Sequence, residues 1–190
     1  QARTTNRPLI SPQGNCGSID GDSPAAMRYT EARLPKSAQS FFDDINKETV
    51  SWNPNDDESE SEPTVLPVAY PNLIVNGSSG VAVAISTEIL SHNLRETIAA
   101  TKLLMKDPKT PTAELMKVFK GPDFPTCGLV HGLEGFASAI ETGRGKIYNR
   151  AKYHIEQRKG GGETIVITEI PHKIKKSSVV EQIHDISVDR

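Results

Sequence analysis

The chain has 190 residues, enough for one ordinary domain or parts of two. With 36% hydrophobic and 24% charged residues it has a soluble, globular balance, and no apolar run approaches the ~18–20 residues of a membrane span. The net charge of −2 hides two unlike parts, because residues 43–62 carry eight acids against Lys47, a balance of −7, and leave the remainder at +5.

The opening stretch, QARTTNRPLISPQ, has no apolar signal-peptide core and no initiator Met, which suggests a fragment or a processed product. Residues 8–23 are dense in Gly, Pro, Asn, Asp and Ser and read as loop and tight turns. Asp22 or Ser23 is placed to cap a helix with Pro24 at its first position. Apolar residues at 27, 34, 38, 41, 42 and 45 follow a helical spacing, which Pro35 divides into helices over about 24–34 and 36–46. The acidic segment 51–64 reads as a solvated linker.

Beyond it, short apolar stretches broken by Pro67, Pro71 and an NGSSG turn at 76–80 predict strands or extended core pieces. Residues 93–106 predict an amphipathic helix with Asn93 as N-cap and Leu94, Ile98 and Leu104–Met105 near one face. A short helix over Thr112–Lys120, capped by Thr112, and another over 133–142 follow. The segment from GKIYNRAKYHIEQ through KGGGET to TIVITEIP predicts two antiparallel strands and a Gly-rich turn. A helix over KSSVVEQIHDI, capped by Ser177 or Ser178, closes the chain. Helices and antiparallel strands segregate rather than alternate, so the fold class is α+β.

Local motifs are individually uninformative. ETGRGK (141–146) lacks the spacing and leading strand of a phosphate loop. The five histidines form no paired metal-ligand pattern, and the carboxylates of 43–62 come in runs rather than at spaced positions. Cys16 and Cys127 share no ligand spacing and read as free thiols of a reducing compartment. Basic residues gather over 144–176, and Lys146, Arg150 and Lys152 share one face if their strand is regular. Such a row suits either a nucleic-acid backbone or solvent. Arg28 beside Tyr29 is of interest because a phenol is a poor nucleophile unless helped, and a neighbouring cation supplies help. Spacing alone makes Tyr29 a packing residue.

The blocks taken together are more specific. QGNCGSIDGDSPAAMRYTEARL, LPVAYPNLIVNGSSGVAVA, SHNL, KGPDFPT, ETGRGKI and IVITEIP occur in the order found in the A subunits of bacterial type IIA topoisomerases, DNA gyrase and topoisomerase IV, which the chain therefore resembles. The resemblance spans residues 8 to 186. DINKETVSWNPN with KSSVVEQI is similar to topoisomerase IV A subunits of Gram-positive type.

The resemblance implies that Tyr29 attacks a DNA phosphodiester to form a 5′-phosphotyrosyl link and that Arg28 steadies the phosphate. It places Arg33, Asn76, Val81, His92 and Asn93 among the DNA-binding positions, with Val81 where relatives insert an isoleucine between base pairs. It implies the C-terminal part of a winged-helix cleavage domain over residues 1–62 and the first part of an α+β tower domain over 63–190.

It also implies no cofactor bound by this chain. Mg²⁺ and ATP would sit on a partner B subunit, in an A2B2 assembly built on an A-subunit homodimer acting on double-stranded DNA in the cytoplasm, at the nucleoid. Recognition helices would precede residue 1, and the dimer gate would follow residue 190. The isolated piece would be inactive. Cys16, Pro35 and STEILSHN over 86–93, with its added Glu88, depart from the family pattern. The departures at 86–93 motivate a rival reading, a non-catalytic DNA-binding or scaffold derivative of the same fold, against which the intact Arg28–Tyr29 pair argues.

Overall fold

The computed structural model describes residues 4–189. Its strands form five separate two-stranded antiparallel sheets. β1 (Ser11–Gln13) pairs with β2 (Glu31–Arg33), and β3 (Trp52–Pro54) pairs with β4 (Ser61–Pro63). β5 (Ser78–Ala82) and β6 (Ile85–Ile89) form a hairpin, as do β9 (Lys152–Gln157) and β10 (Glu163–Glu169). β7 (Leu129–His131) pairs with β8 (Tyr148–Arg150). The helices are α1 (Lys36–Gln39), α2 (Asn72–Asn76), α3 (Leu94–Lys106), α4 (Thr112–Val118), α5 (Glu134–Thr142) and α6 (Lys176–Val188). The mixture is α+β, as expected.

The expected helix over 24–34 is absent, so Asp22 and Ser23 have no helix to cap. Met27–Tyr29 is a single 3₁₀ turn, and Glu31–Arg33 extends as β2 to pair with β1. The reason is burial: Met27 is 90% exposed and Leu34 is also exposed, so a helix there has no apolar face to cover. Downstream, regular helix is limited to α1 and turns follow, with Ala38 and Phe41 inside. Phe41 packs against Tyr70, ring centroids 5.2 Å apart, and burial pushes the pKa of the Tyr70 phenol upward.

The acidic segment is solvated, as expected, but closes as a hairpin rather than an unstructured linker. Asn55–Glu60 makes the turn between β3 and β4, where Asn55 N–H donates to Glu60 C=O at 2.9 Å. Asp57 accepts from the Ser59 hydroxyl at 2.6 Å, which holds its carboxyl below the usual range. Local Asx chemistry replaces the missing apolar burial.

NLIVN, expected as strand or extended core, is helix α2, with Val75 fully buried. The NGSSG turn is also displaced. Gly77, at φ +71, ends α2 and leads into β5, and the reversal itself falls at Val83–Ala84 with Ala84 at φ +62. α3 carries the expected Asn93 cap, whose Oδ1 accepts from Arg95 N–H at 3.0 Å and Glu96 N–H at 3.4 Å. Thr112, Ser177 and Ser178 do not cap: they lie inside their helices, after Pro111 and Lys175 respectively. Ala151 separates β8 from β9, and these join different sheets, so Lys146, Arg150 and Lys152 do not form a row along one regular strand.

A second buried cluster holds the middle of the chain. His92 stacks on Phe119 at 4.5 Å and lies 5.7 Å from Phe136. Val75 on α2 and Phe124 in the loop after α4 are buried as well. Full burial of an apolar side chain of this size contributes about 1.5–3 kcal/mol.

Candidate functional site

Tyr29 stands at the end of the 3₁₀ turn with its side chain 67% exposed, so the phenol is open to a large partner. Two backbone hydrogen bonds build the turn: Tyr29 N–H donates to Ala26 C=O at 2.9 Å and Thr30 N–H to Met27 C=O at 3.2 Å. The Arg28 guanidinium carbon lies 4.8 Å from the centre of the Tyr29 ring, a cation–π contact that keeps positive charge beside the phenol. The pairing of β1 with β2 fixes the turn from its other end. Gly14, at φ +98, follows β1 so close to the turn that a Cβ there would sit 2.8 Å from the Tyr29 carbonyl oxygen.

The loop leading in is tied to itself. Ser18 Oγ donates to Asp22 Oδ2 at 2.5 Å, Gly17 N–H to Asn15 Oδ1 at 3.0 Å, and Ala25 N–H to Asn15 C=O at 3.0 Å. Arg33 is exposed at the end of β2, where its guanidinium pairs with Glu31 at 2.8 Å.

Asn76, His92 and Asn93 come together elsewhere, at the root of the β5–β6 hairpin. Asn6 Nδ2 faces the carbonyls of Val75, His92 and Asp123 at 3.3, 3.2 and 2.7 Å. His92 is buried; its Nδ1 is 3.0 Å from Ile74 C=O, which assigns the ring proton to Nδ1 and leaves Nε2 unpartnered. Burial pushes its pKa down. Asn93 Nδ2 donates to Asp123 Oδ2 at 3.0 Å. A small cavity of about 180 Å³ is lined by Arg7, His92, Asn93, Arg95 and Asp123. Among the described residues, no hydrogen bond or ion pair joins Arg28, Tyr29 or Arg33 to this knot.

Val81 stands apart, 89% exposed on the hairpin, with Val83 still more exposed at its tip and Ile85 opposite Ala82. Glu88, the added acid, is paired: Lys173 Nζ lies 2.7 Å from its Oε1. The contacts that reasoning from sequence missed, Asn6 to the hairpin root and Lys173 to Glu88, link residues 69 or more positions apart and leave no local signal.

Among the described residues, no three His, Cys, Asp or Glu side chains are grouped to hold a metal ion, and no helix is long and apolar enough to cross a membrane.

Residues 1–190 match the family model of the DNA gyrase/topoisomerase IV A subunit. The chain belongs to that family. It is 51% identical over 180 residues to the DNA gyrase A subunit of Chlamydia pneumoniae, covering 94% of this chain and 22% of that protein. Against the DNA topoisomerase 4 A subunit of Bacillus subtilis it is 49% identical over 182 residues, covering 96% of this chain and 23% of that protein. The DNA gyrase A subunit of Granulibacter bethesdensis is 50% identical over 179 residues, 94% of this chain and 19% of that protein. This gyrase/topoisomerase IV chain thus spans about a fifth of the length of these relatives, and identities of 49–51% do not separate the two branches.

Proposed function

We propose that this chain is the part of a type IIA topoisomerase A subunit that carries the DNA-cleaving tyrosine. The observation that carries the reading is the open phenol of Tyr29 with the Arg28 guanidinium 4.8 Å from its ring centre, on a turn that β1, β2 and Gly14 hold in place. Tyr29 Oη gives up its proton and attacks the phosphorus of a DNA phosphodiester. The P–O3′ bond breaks, the 3′ oxygen takes up a proton as a hydroxyl, and a 5′-phosphotyrosyl ester remains. Because one phosphoester replaces another, the 3′ hydroxyl reverses the step without external energy. Arg28 balances the charge that grows on the phosphoryl oxygens.

Arg33 and Val81 are exposed and suit direct DNA contact, Val81 as an apolar wedge. Asn76, His92 and Asn93 have polar groups engaged inside the protein and hold the hairpin that presents Val81. In this reading, residues 1–62 complete a winged-helix cleavage domain and 63–190 begin a tower domain. The partner B subunit supplies Mg²⁺ and ATP, and two A subunits cut opposite strands in an A2B2 assembly.

The test uses the whole subunit containing this chain, with its B partner, Mg²⁺ and supercoiled DNA. Detergent quenching is expected to trap protein covalently on DNA 5′ ends, and Tyr29→Phe to abolish the adduct. Wild-type protein that binds DNA but forms no adduct would establish the scaffold reading instead.

A further inference from the structure

The β5–β6 hairpin is exposed along both strands, so packing does not hold it in place. Its root is pinned by His92 N–H, which donates to Val75 C=O at 3.1 Å. Beyond the root, Lys173 Nζ donates to Glu88 Oε1 at 2.7 Å and ties the hairpin to the body. Lys173 sits in the turn that connects β10 to α6, at φ +66, where Ile174 N–H donates to Pro171 C=O at 3.2 Å. The His172 ring, stacked on buried Phe124 at 5.4 Å, seats that turn on the body.

The same turn reaches the loop that leads into Tyr29. Lys176 N–H donates to Ile19 C=O at 3.0 Å, and Lys176 Nζ pairs with Asp20 Oδ1 at 2.7 Å. The Lys175 stem lies so close over Gly21 that a Cβ there would be 2.8 Å from its Cδ. Between loop and turn is a cavity of about 630 Å³, lined by Ser18, Asp22, Thr126, His172, Lys173 and Lys175. Along this open groove close packing does not bridge loop and turn. Their separation is set by the Lys176 backbone bond, the Asp20–Lys176 pair and the Lys175 stem over Gly21, while Glu88–Lys173 joins the turn to the hairpin.

We propose that residues 171–176 form a strut that holds the Val81 hairpin in register with the Tyr29 loop, with Glu88–Lys173 at one end and Asp20–Lys176 at the other. The inference rests on the reading that Tyr29 cleaves DNA and Val81 bends it, and adds two lysines as positioning residues. Both pairs are exposed, so each contributes modestly and is screened by salt. Reversing one charge converts attraction to repulsion at the strut's end.

The experiment uses the whole subunit with its B partner, a duplex dye-labelled at both ends to read bending, and detergent trapping to read cleavage. Lys173→Glu is expected to reduce both the bend and the adduct, the adduct by roughly three- to tenfold, and Glu88→Lys with Lys173→Glu to restore them. Lys176→Glu should reduce the adduct, and Asp20→Lys added to it should restore it. The milder Glu88→Gln should act in the same direction as Lys173→Glu, with an unchanged melting temperature.

Val81→Ala separates the two levels. If it leaves the bend intact, the wedge reading fails and the strut with it. If it straightens the duplex while Lys173→Glu changes neither signal, or the reversed pair restores nothing, the strut alone is overturned.

Discussion

Asn76 holds the backbone of Arg7 at both of its polar groups: its Oδ1 accepts from Arg7 N–H at 2.8 Å and its Nδ2 donates to Arg7 C=O at 3.0 Å. The two residues are 69 positions apart, so one amide stands in for a strand pairing between the amino-terminal segment and the end of α2. Asn76→Leu removes both bonds and is expected to cost about 1–3 kcal/mol in urea unfolding. Asn76→Asp keeps the acceptor but loses the donor and should fall between. Protease susceptibility near residue 7 should rise in step with the loss of stability. If stability is unchanged by Asn76→Leu, the clip contributes nothing.

His92 gives a pH dependence with a definite sign. Burial holds its pKa below the ordinary histidine value, outweighing the raising effects of the Ile74 and Leu90 carbonyls and of the Glu96 and Asp123 carboxylates. The unfolded chain therefore binds a proton at a pH where the folded chain does not. Stability is full above about pH 6.5 and declines as pH falls below that value toward the lower folded pKa. His172, also lowered by burial, acts in the same direction. Urea midpoints measured between about pH 7.5 and 5 should show the decline, and His92→Gln should make it shallower. An unchanged slope would assign the effect to other groups.

Gly14 links backbone conformation to the Tyr29 turn without touching the phenol. At φ +98, with the Tyr29 carbonyl oxygen 2.8 Å from where a Cβ would lie, Gly14→Ala is strained and must shift the turn. A stability loss above about 1 kcal/mol is expected. Adduct yield should also fall when the whole-subunit variant is assayed below its melting temperature. Full adduct yield would show that the turn tolerates displacement.

Val81 and Phe41 should separate surface from core. Val81→Ala, on an exposed strand, is expected to change stability by no more than about 0.5 kcal/mol. Phe41→Ala, at 1% exposure, should cost about 3–5 kcal/mol. Thermal melts of the two variants make the comparison, and a large loss at Val81 would mean that the hairpin packs on the body.

What was legible from sequence follows from where the signal is local. The Asn93 cap, the helix after it and the Gly-rich turn between β9 and β10 depend on neighbouring residues, and they form as expected. The region around Tyr29 does not. Met27 and Leu34 imitate a helical period, but their exposure shows that tertiary pairing of β2 with β1 outweighs it. The acidic hairpin was hidden for the opposite reason, since Asn55, Asp57 and Ser59 close it with polar bonds that hydrophobic patterning does not register. At the site, Arg28–Tyr29 became visible only through the ordered family blocks, whereas Asn6, Lys173 and Lys176 act across the chain and carry no motif.

Among the described residues every sheet has only two strands, so every strand presents an unpaired edge. Three of them blunt that edge with proline, Pro12 in β1, Pro54 in β3 and Pro63 in β4, each lacking an N–H to offer a newcomer. The other seven strands carry none; of these, β5, β6, β9 and β10 are the longest, and β9–β10 adds the apolar surface of Tyr153, Ile155, Ile165 and Ile167. Self-association of this chain should therefore begin at those two hairpins, whose unpaired edges are the longest, by strand addition.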